Sequence, residues 1–237
     1  MSVYKIKLIK KETVAKDTMA FYFQKPNEFQ FEAGQYADYT LINPSQTDKE
    51  GDTRSFTLAC SPYEDDIKFI TRMRDTAFKR EMRDMAIGTE IKFEGPKGDL
   101  VLKQNESPAV FITGGIGVTP ALSIIKQAIH NGISQEIILF YSNKTVDSSV
   151  AIYELQKLAN LNNNFKFIPV ITDQPPAGFI SEVGHIDGDM LKRYISDLSQ
   201  ANYYLTGPTA MVKALRQILV DNKVKKRSIF TEYFIGY

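Results

Sequence analysis

A glycine-rich turn, FITGGIGVTP, is the stretch whose residue types most directly predict ligand chemistry. An apolar run ends at Gly114 and Gly115, and Gly117 follows before Thr119 and Pro120. Glycines permit positive φ and a close approach of a ligand to the backbone, while Thr119 and Pro120 suit the N-cap and first position of a helix. Free amides and the helix dipole at such an N-terminus attract phosphate. The turn therefore predicts a phosphate or nucleotide site, with a tight structural turn as the alternative.

The spacing of this turn excludes two common phosphate-binding motifs. Pro120 stands where the GxGxxG dinucleotide motif would have its third glycine, and no Gly-Lys-Ser/Thr follows as in a P-loop. The turn alone therefore does not identify its ligand.

Composition and charge narrow the class of protein. The 237 residues are 43% hydrophobic and 24% charged, which is typical of a globular protein with room for two domains. The net charge of +1 argues against a nucleic-acid partner. No apolar run reaches the roughly 20 residues that span a bilayer, and the lysine-rich N-terminus does not resemble a secretory signal. We therefore expect a cytoplasmic protein without membrane insertion.

The cysteine and histidine content excludes several kinds of site. The single Cys60 rules out an internal disulfide and an internal iron–sulfur cluster, which needs about four thiolates. His130 and His185 lie outside any metal-ligand spacing. We expect no metal site.

The elements that must position the glycine turn fall into two halves. The first half contains six strand-like runs and one helical stretch, TAFKREMRDM, which predicts an antiparallel barrel or sandwich. From residue 109, short apolar strands alternate with helical periods, which predicts a parallel sheet covered by helices. We place the boundary so that residues 1–103 form the β domain and residues 104–237 the α/β domain. The six runs are YKIKLIKKETVA, MAFYFQK, GQYADYTLI, RSFTLAC, IKFITRM and TEIKFEG.

Three further motifs, RSFT, MRDTAFKREM and YYLTGPTAMV, occur in that order around GGIGVTP. Their order and spacing resemble the ferredoxin–NADP reductase superfamily over essentially the whole chain. The resemblance implies an antiparallel flavin-binding β-barrel over residues 1–103 and a parallel-sheet NAD(P)-binding α/β domain over residues 104–237. It also implies a stand-alone FAD-dependent oxidoreductase without a fused iron–sulfur domain.

The RSFT motif resembles the family's Arg-x-Tyr-Ser/Thr, which holds FAD. The resemblance implies that Arg54 pairs with the FAD pyrophosphate, for which a planar guanidinium is suited. Thr57 would place its hydroxyl near the reactive N5 edge of the flavin. Phe56 stands where the family usually has Tyr, so an aromatic face is kept and one hydroxyl donor is lost. Ser55 completes the motif.

The second motif implies a further phosphate contact at the N-terminus of a short helix. Asp75 or Thr76 could cap this helix. Arg72 and Arg74 alternate along the chain, so one of them would face the phosphates and the other solvent. The residues implied to contact FAD here are Arg72, Met73, Thr76, Ala77 and Phe78.

The second domain would hold the nicotinamide nucleotide. Thr206, Gly207 and Pro208 resemble the family's Cys-Gly-Pro or Ala-Gly-Pro, with Thr in place of the cysteine that lies beside the nicotinamide. The residues that would surround the nicotinamide and pyrophosphate in the glycine turn are Thr113, Gly114, Gly115, Gly117 and Thr119.

The strand EIILFY ends without the acid that would bind the ribose 2′-hydroxyl of NAD. Ser142, Asn143 and Lys144 follow, and they could hold a 2′-phosphate instead. This favours NADP(H) over NAD(H).

The last residues, TEYFIGY, fit the family's Glu-x-aromatic ending. Phe234 would shield the flavin and move aside for NADPH, and Tyr237 is the competing shield. Tyr233 would point the opposite way, since side chains alternate along a strand. Glu232 would either relay protons to and from the flavin or form a surface salt bridge.

These features predict an oxidoreductase that transfers hydride between NAD(P)H and FAD. Electrons would pass to a separate one-electron carrier such as ferredoxin or flavodoxin. A flavin reductase that releases reduced flavin, a non-catalytic electron-transfer subunit and a plain nucleotide-binding module are the alternatives. The acceptor, the direction of electron flow and the oligomeric state stay open.

Overall fold

A computed structural model describes residues 2–234 and shows a β domain followed by an α/β domain. The β domain is a six-stranded antiparallel sheet in the order β4-β3-β6-β1-β2-β5. Its outer strands approach each other, because Phe56 on β4 stacks on Phe69 on β5 with ring centroids 4.3 Å apart. The sheet is therefore rolled into a barrel. Its elements are β1 (Ser2–Ala15), β2 (Thr18–Gln24), β3 (Tyr36–Thr40), β4 (Thr53–Thr57), β5 (Asp66–Arg72), α1 (Ala77–Asp84) and β6 (Glu90–Lys97).

The α/β domain is a six-stranded parallel sheet in the order β10-β9-β8-β7-β11-β12. The strand order reverses at β7, and the crevice at the carboxyl end of such a strand is where ligands bind in open α/β sheets. Its elements are β7 (Ala109–Gly114), α2 (Val118–His130), β8 (Ile137–Asn143), α3 (Ile152–Leu161), β9 (Phe165–Ile171), β10 (Glu182–Val183), α4 (Gly188–Tyr194), β11 (Asn202–Pro208), α5 (Thr209–Asp221) and β12 (Ile229–Phe234).

This architecture confirms the predicted fold class. The prediction for the start of α2 was wrong. A 3₁₀ turn over Gly115–Gly117 precedes the helix, which begins at Val118. Thr119 is therefore inside the helix, and its hydroxyl donates to the carbonyl of Ile116 at 3.0 Å instead of capping the N-terminus. Pro120 is the third helical residue.

The two domains share one continuous interface. The hydrophobic cluster around α2 continues into Ala20, Ala59 and Ile70 of the barrel. Two buried hydrogen bonds run in opposite directions across it: Ser61 Oγ donates to the carbonyl of Ser123, and Ser123 Oγ donates to the carbonyl of Cys60. The carboxyl edge of the parallel sheet is thereby fixed against the barrel. Within residues 2–234, no helix has both the length and the apolarity needed to cross a membrane.

Candidate functional site

A cavity of about 510 Å³ lies between the barrel and the parallel sheet. Strands β4 and β5 form one wall, and the start of α2 with the end of β12 forms the other. Residues of both domains therefore line the same cavity. The predicted residues in its lining are Ser55, Phe56, Thr57, Arg72, Thr119, Glu232 and Phe234.

Two polar side chains line this cavity, the buried Thr57 and the half-buried Glu232. Thr57 is 5% exposed, and its Oγ1 has no hydrogen-bond partner among residues 2–234. The Glu232 carboxyl forms no ion pair within the part of the chain that the structure describes. Burial raises the pKa of Glu232 to about 7. A carboxyl with such a pKa can gain or lose a proton near neutral pH, as general acid–base groups do.

Three cationic side chains lie in the lining of the same cavity. Arg72, Arg74 and Lys79 all contribute to its lining. Arg72 Nη2 donates to the carbonyl of Ser148 at 3.3 Å, while its buried Nε has no hydrogen-bond partner within residues 2–234. Burial and the neighbouring guanidinium groups of Arg74, Arg54 and Arg72 lower the pKa of Lys79 to about 8. A concentration of positive charge this high favours an anionic ligand.

Arg54 and the N-terminus of α1 lie side by side. Thr76, one of the two candidate caps, is the N-cap, and its hydroxyl accepts from the Lys79 amide at 3.4 Å. The Arg54 guanidinium lies 5.3 Å from the ring centroid of Phe78. Both groups are bound by one carboxylate, since Asp48 accepts from Arg54 Nη2 and from the Ala77 amide, each at 3.0 Å. Met73 packs against the hydrophobic core of the barrel.

A second cavity, of about 530 Å³, lies at the carboxyl ends of the parallel strands. Arg72 lines both cavities, so the two are adjacent. Asn143 is 6% exposed, and its Nδ2 has no hydrogen-bond partner among the residues from 2 to 234. The predicted residues in this lining are Arg72, Gly114, Gly115, Ser142, Asn143, Lys144 and Pro208.

Other residues predicted to contact the nucleotide hold the glycine turn against the end of β11. A Cβ on Gly117 would lie 2.7 Å from both Gly207 Cα and the Thr206 carbonyl oxygen. Thr206 Oγ1 donates to the Gly117 carbonyl at 2.6 Å, which commits that hydroxyl to the protein. Gly115 has φ of 54°, a conformation that favours glycine. Thr113 is fully buried at the end of β7, and its hydroxyl has no partner within the described part of the chain.

The C-terminal strand closes one end of the first cavity. Phe234 lines the cavity and packs against the cluster around α2. Tyr233 is 42% exposed and also contributes to the lining, although strand alternation predicts that it points away. Tyr237 lies outside the described residues.

Sequence reasoning missed many of the residues that line these cavities, among them Tyr36, Lys79 and His185. Tyr36 faces Thr57 across the β3–β4 pair, but its strand carried no chemical motif. Lys79 follows the predicted phosphate contacts by one residue, and its position within the first turn of a helix was the available signal. His185 lies in the second cavity, and nothing near it in sequence indicated this.

Comparison with known families agrees with this geometry. The sequence model of the oxidoreductase FAD-binding domain matches residues 5–102, and that of the oxidoreductase NAD-binding domain matches residues 111–217. The reductase component of propane 2-monooxygenase from Rhodococcus jostii is 28% identical over 218 residues, which are 89% of this chain and 57% of that protein. NADH-cytochrome b5 reductase 1 from Emericella nidulans is 33% identical over 141 residues, which are 56% of this chain and 45% of that protein.

The chain thus spans 57% and 45% of the lengths of these two relatives. Among solved structures, a ferredoxin NADP+ reductase from Neisseria gonorrhoeae with bound FAD and NADP has a similar fold. Its TM-score is 0.82 at 19% identity, with 98% of each chain covered. Two successive domain families, the shared fold and the ordered motifs agree: the chain belongs to the ferredoxin–NADP reductase superfamily of FAD- and pyridine-nucleotide-binding oxidoreductases.

Proposed function

We propose that this chain oxidises NAD(P)H, holds FAD as its redox cofactor and delivers electrons to a separate carrier. The main support is the pair of cavities that meet at Arg72. One is built by both domains, and the other lies at the strand ends where nucleotides bind in parallel sheets. A flavin in the first and a nicotinamide nucleotide in the second would meet between the domains.

The residues of the first cavity fit FAD. Bound FAD accepts hydride from a nicotinamide and can release electrons singly. The unpartnered Thr57 hydroxyl is available to hydrogen-bond the ring edge, and the buried Arg72 Nε is a donor available to an anionic group. Arg54, Thr76, Ala77 and the adjacent Lys79 would hold the diphosphate.

Three residues have proposed roles in the reaction. Thr57 orients the flavin ring by hydrogen bonding, and Glu232 holds or releases a proton beside it. Phe234 covers the face of the flavin that the nicotinamide must reach, and it moves aside when the nucleotide enters. Hydride transfer requires the two rings to lie about 3–3.5 Å apart, so the cover and the domain interface both control alignment.

We further propose that NADP(H) is preferred over NAD(H). Ser142, Asn143 and Lys144 line the second cavity, and Lys144 supplies a positive charge for a 2′-phosphate. No acidic residue contributes to the part of this lining that lies within residues 2–234. One relative, by contrast, is named an NADH-dependent reductase. Titration of both cofactors under identical conditions decides the preference, and a clearly higher kcat/KM with NADH would reverse it.

We propose a ferredoxin or flavodoxin as the carrier. The propane monooxygenase relative is itself named a reductase component, which supports delivery to another protein. We also propose that residues 1–103 and 104–237 are the two domains. The matched family regions, which end at residue 102 and begin at residue 111, support this division.

An absorption spectrum of the purified protein before and after anaerobic NADPH tests the proposed function. We expect flavin bands near ~450 nm that bleach on addition of NADPH. A colourless protein that reduces added flavin is instead a flavin reductase. Bound flavin that NADPH does not bleach indicates an electron-transfer subunit, and binding of nucleotide without any flavin indicates a plain nucleotide-binding module.

A further inference from the structure

The carboxylate of Asp48, in the loop between β3 and β4, binds two of the groups that we propose to hold the diphosphate of FAD. One oxygen accepts from Arg54 Nη2 at 3.0 Å, and the other accepts from the Ala77 amide at 3.0 Å. Two oxygens on one carbon thus bridge a guanidinium and the first amide of α1. Two non-bridging oxygens of a phosphate would make the same pair of contacts.

The surrounding contacts show that Asp48 is bound strongly as an anion. Its Oδ1 also accepts from the Glu50 amide at 3.0 Å. Although desolvation opposes ionisation, hydrogen bonds from the Glu50 and Ala77 amides and from Arg54 hold the pKa of Asp48 below its ordinary value. The carboxylate is therefore charged at neutral pH and competes directly with any phosphate for these donors.

A second nitrogen of Arg54 is also committed to the same loop. Its Nη1 donates to the carbonyls of Glu50, Gly51 and Thr53 at 2.8–3.0 Å. Glu50 adds an ion pair to Nη2 at 3.1 Å, but this carboxylate is 60% exposed and has no contact with the α1 amide. Asp48 is the loop residue whose carboxylate joins Arg54 to the helix.

We propose that Asp48 determines flavin specificity by competing with the diphosphate of FAD for Arg54 and the Ala77 amide. FAD engages these donors only when the loop carries Asp48 away from them, whereas riboflavin, which has no phosphate, never meets this competition. The preference of the protein for FAD over riboflavin is therefore much smaller than it would be if Asp48 did not bind Arg54 and the Ala77 amide. This inference rests on the proposed flavin site.

The test compares Asp48→Asn with Glu50→Gln. The second substitution also removes one negative charge and one ion pair to Arg54, but it does not affect the hydrogen bond to the Ala77 amide. Dissociation constants of FAD and riboflavin are measured by ultrafiltration for each protein. In D48N we expect the preference for FAD over riboflavin to rise by about tenfold or more, because charge-assisted donors become available. In E50Q we expect a change of less than about threefold, as for an exposed ion pair. Riboflavin affinity should change little in either variant.

An equal change in both variants, or weaker FAD binding by D48N, would overturn the role of Asp48. If D48N does not fold, Asp48→Ser replaces it. The preference of the wild-type protein for FAD over riboflavin is an independent test. Two charge-assisted hydrogen bonds without competition would give a preference of at least about 100-fold. A wild-type preference for FAD below that value supports the competition, and a larger preference contradicts it. A wild-type protein that binds neither flavin contradicts the proposed function itself, which is a separate result.

Discussion

Burial changes the acid–base chemistry of Glu232. Its folded-state pKa of about 7 lies above the ordinary value of 4.5, so the folded protein binds the extra proton between these pH values. The contribution of this group to stability is therefore present below about pH 4.5 and is lost as pH rises through about pH 7.

Glu232→Gln should remove this dependence, because a neutral amide does not titrate. Relative to the wild type, we expect E232Q to gain stability between about pH 5 and pH 8, by on the order of 2 kcal/mol. Denaturant unfolding of both proteins across this range measures the difference. We also expect the wild-type rate of electron delivery to show a break near pH 7 that E232Q lacks. Parallel stability curves for the two proteins would show that the carboxyl has an ordinary pKa.

Individual residues of the site could be predicted only where a local motif marked them. Thr57 and Glu232 belong to short motifs, and the structure places both in one cavity although they are distant in sequence. Tyr36, Lys79 and Asp48 belong to no such motif. Their positions depend on how β3, the β3–β4 loop and α1 pack against one another, and this packing is set by long-range contacts that a local pattern does not contain.

At the scale of elements, the sequence predicted the types and the order of the strands and helices correctly. It misplaced the start of α2. Period-two runs and strand–helix alternation predicted both sheets, and Thr76 was found as a helix cap. The start of α2 was predicted from Thr119 and Pro120, but the 3₁₀ turn over Gly115–Gly117 moves it earlier. That turn packs against the end of β11, which is far away in the chain.

Gly117→Ala tests how tightly the glycine turn packs against the end of β11. The φ of Gly117 is −61°, which alanine adopts without strain, so any effect comes from the added Cβ. That Cβ would lie 2.7 Å from Gly207 Cα and from the Thr206 carbonyl oxygen, which are backbone atoms that cannot rotate away. We expect unfolding free energy to fall by about 2–4 kcal/mol in denaturant titrations.

Gly188→Ala is the matched control for this substitution. Its nearest neighbour would be Asn222 Nδ2 at 3.2 Å, the end of a side chain that can move. We expect a change below about 1 kcal/mol. If G117A were as stable as G188A, the glycine turn would not pack against the end of β11 as closely as the distances indicate.

At the scale of the whole molecule, function depends on how the two domains are fixed to each other. The sequence predicted two halves of the right types, but their interface pairs residues that no motif links. Ser61 and Ser123 exchange buried hydrogen bonds with backbone carbonyls across it, and Lys126 pairs with Glu64 at 2.8 Å. A single serine in a loop and another in a helix carry no sequence signal of such a contact.

Ser123→Ala should show whether this interface aligns the two nucleotides. The substitution removes the 2.6 Å hydrogen bond to the Cys60 carbonyl, and we expect stability to fall by about 1–2 kcal/mol. Because hydride transfer requires rings about 3–3.5 Å apart, looser docking should slow flavin reduction by NADPH severalfold in stopped-flow measurements. Flavin affinity should change much less, since Thr57, Arg72 and Arg54, which we propose to hold the flavin, all belong to the barrel.

Ser199→Ala, which removes a hydroxyl that bonds Asp197 on the surface of the α/β domain, serves as the control and should alter neither quantity. S123A could lose stability without any change in the reduction rate. The hydrophobic contacts around α2 would then be sufficient to keep the two domains in their relative position. A parallel loss of flavin affinity would mean that the barrel itself had been disturbed. Only a slower reduction with normal flavin binding identifies the interface as the element that brings the two cavities into productive alignment.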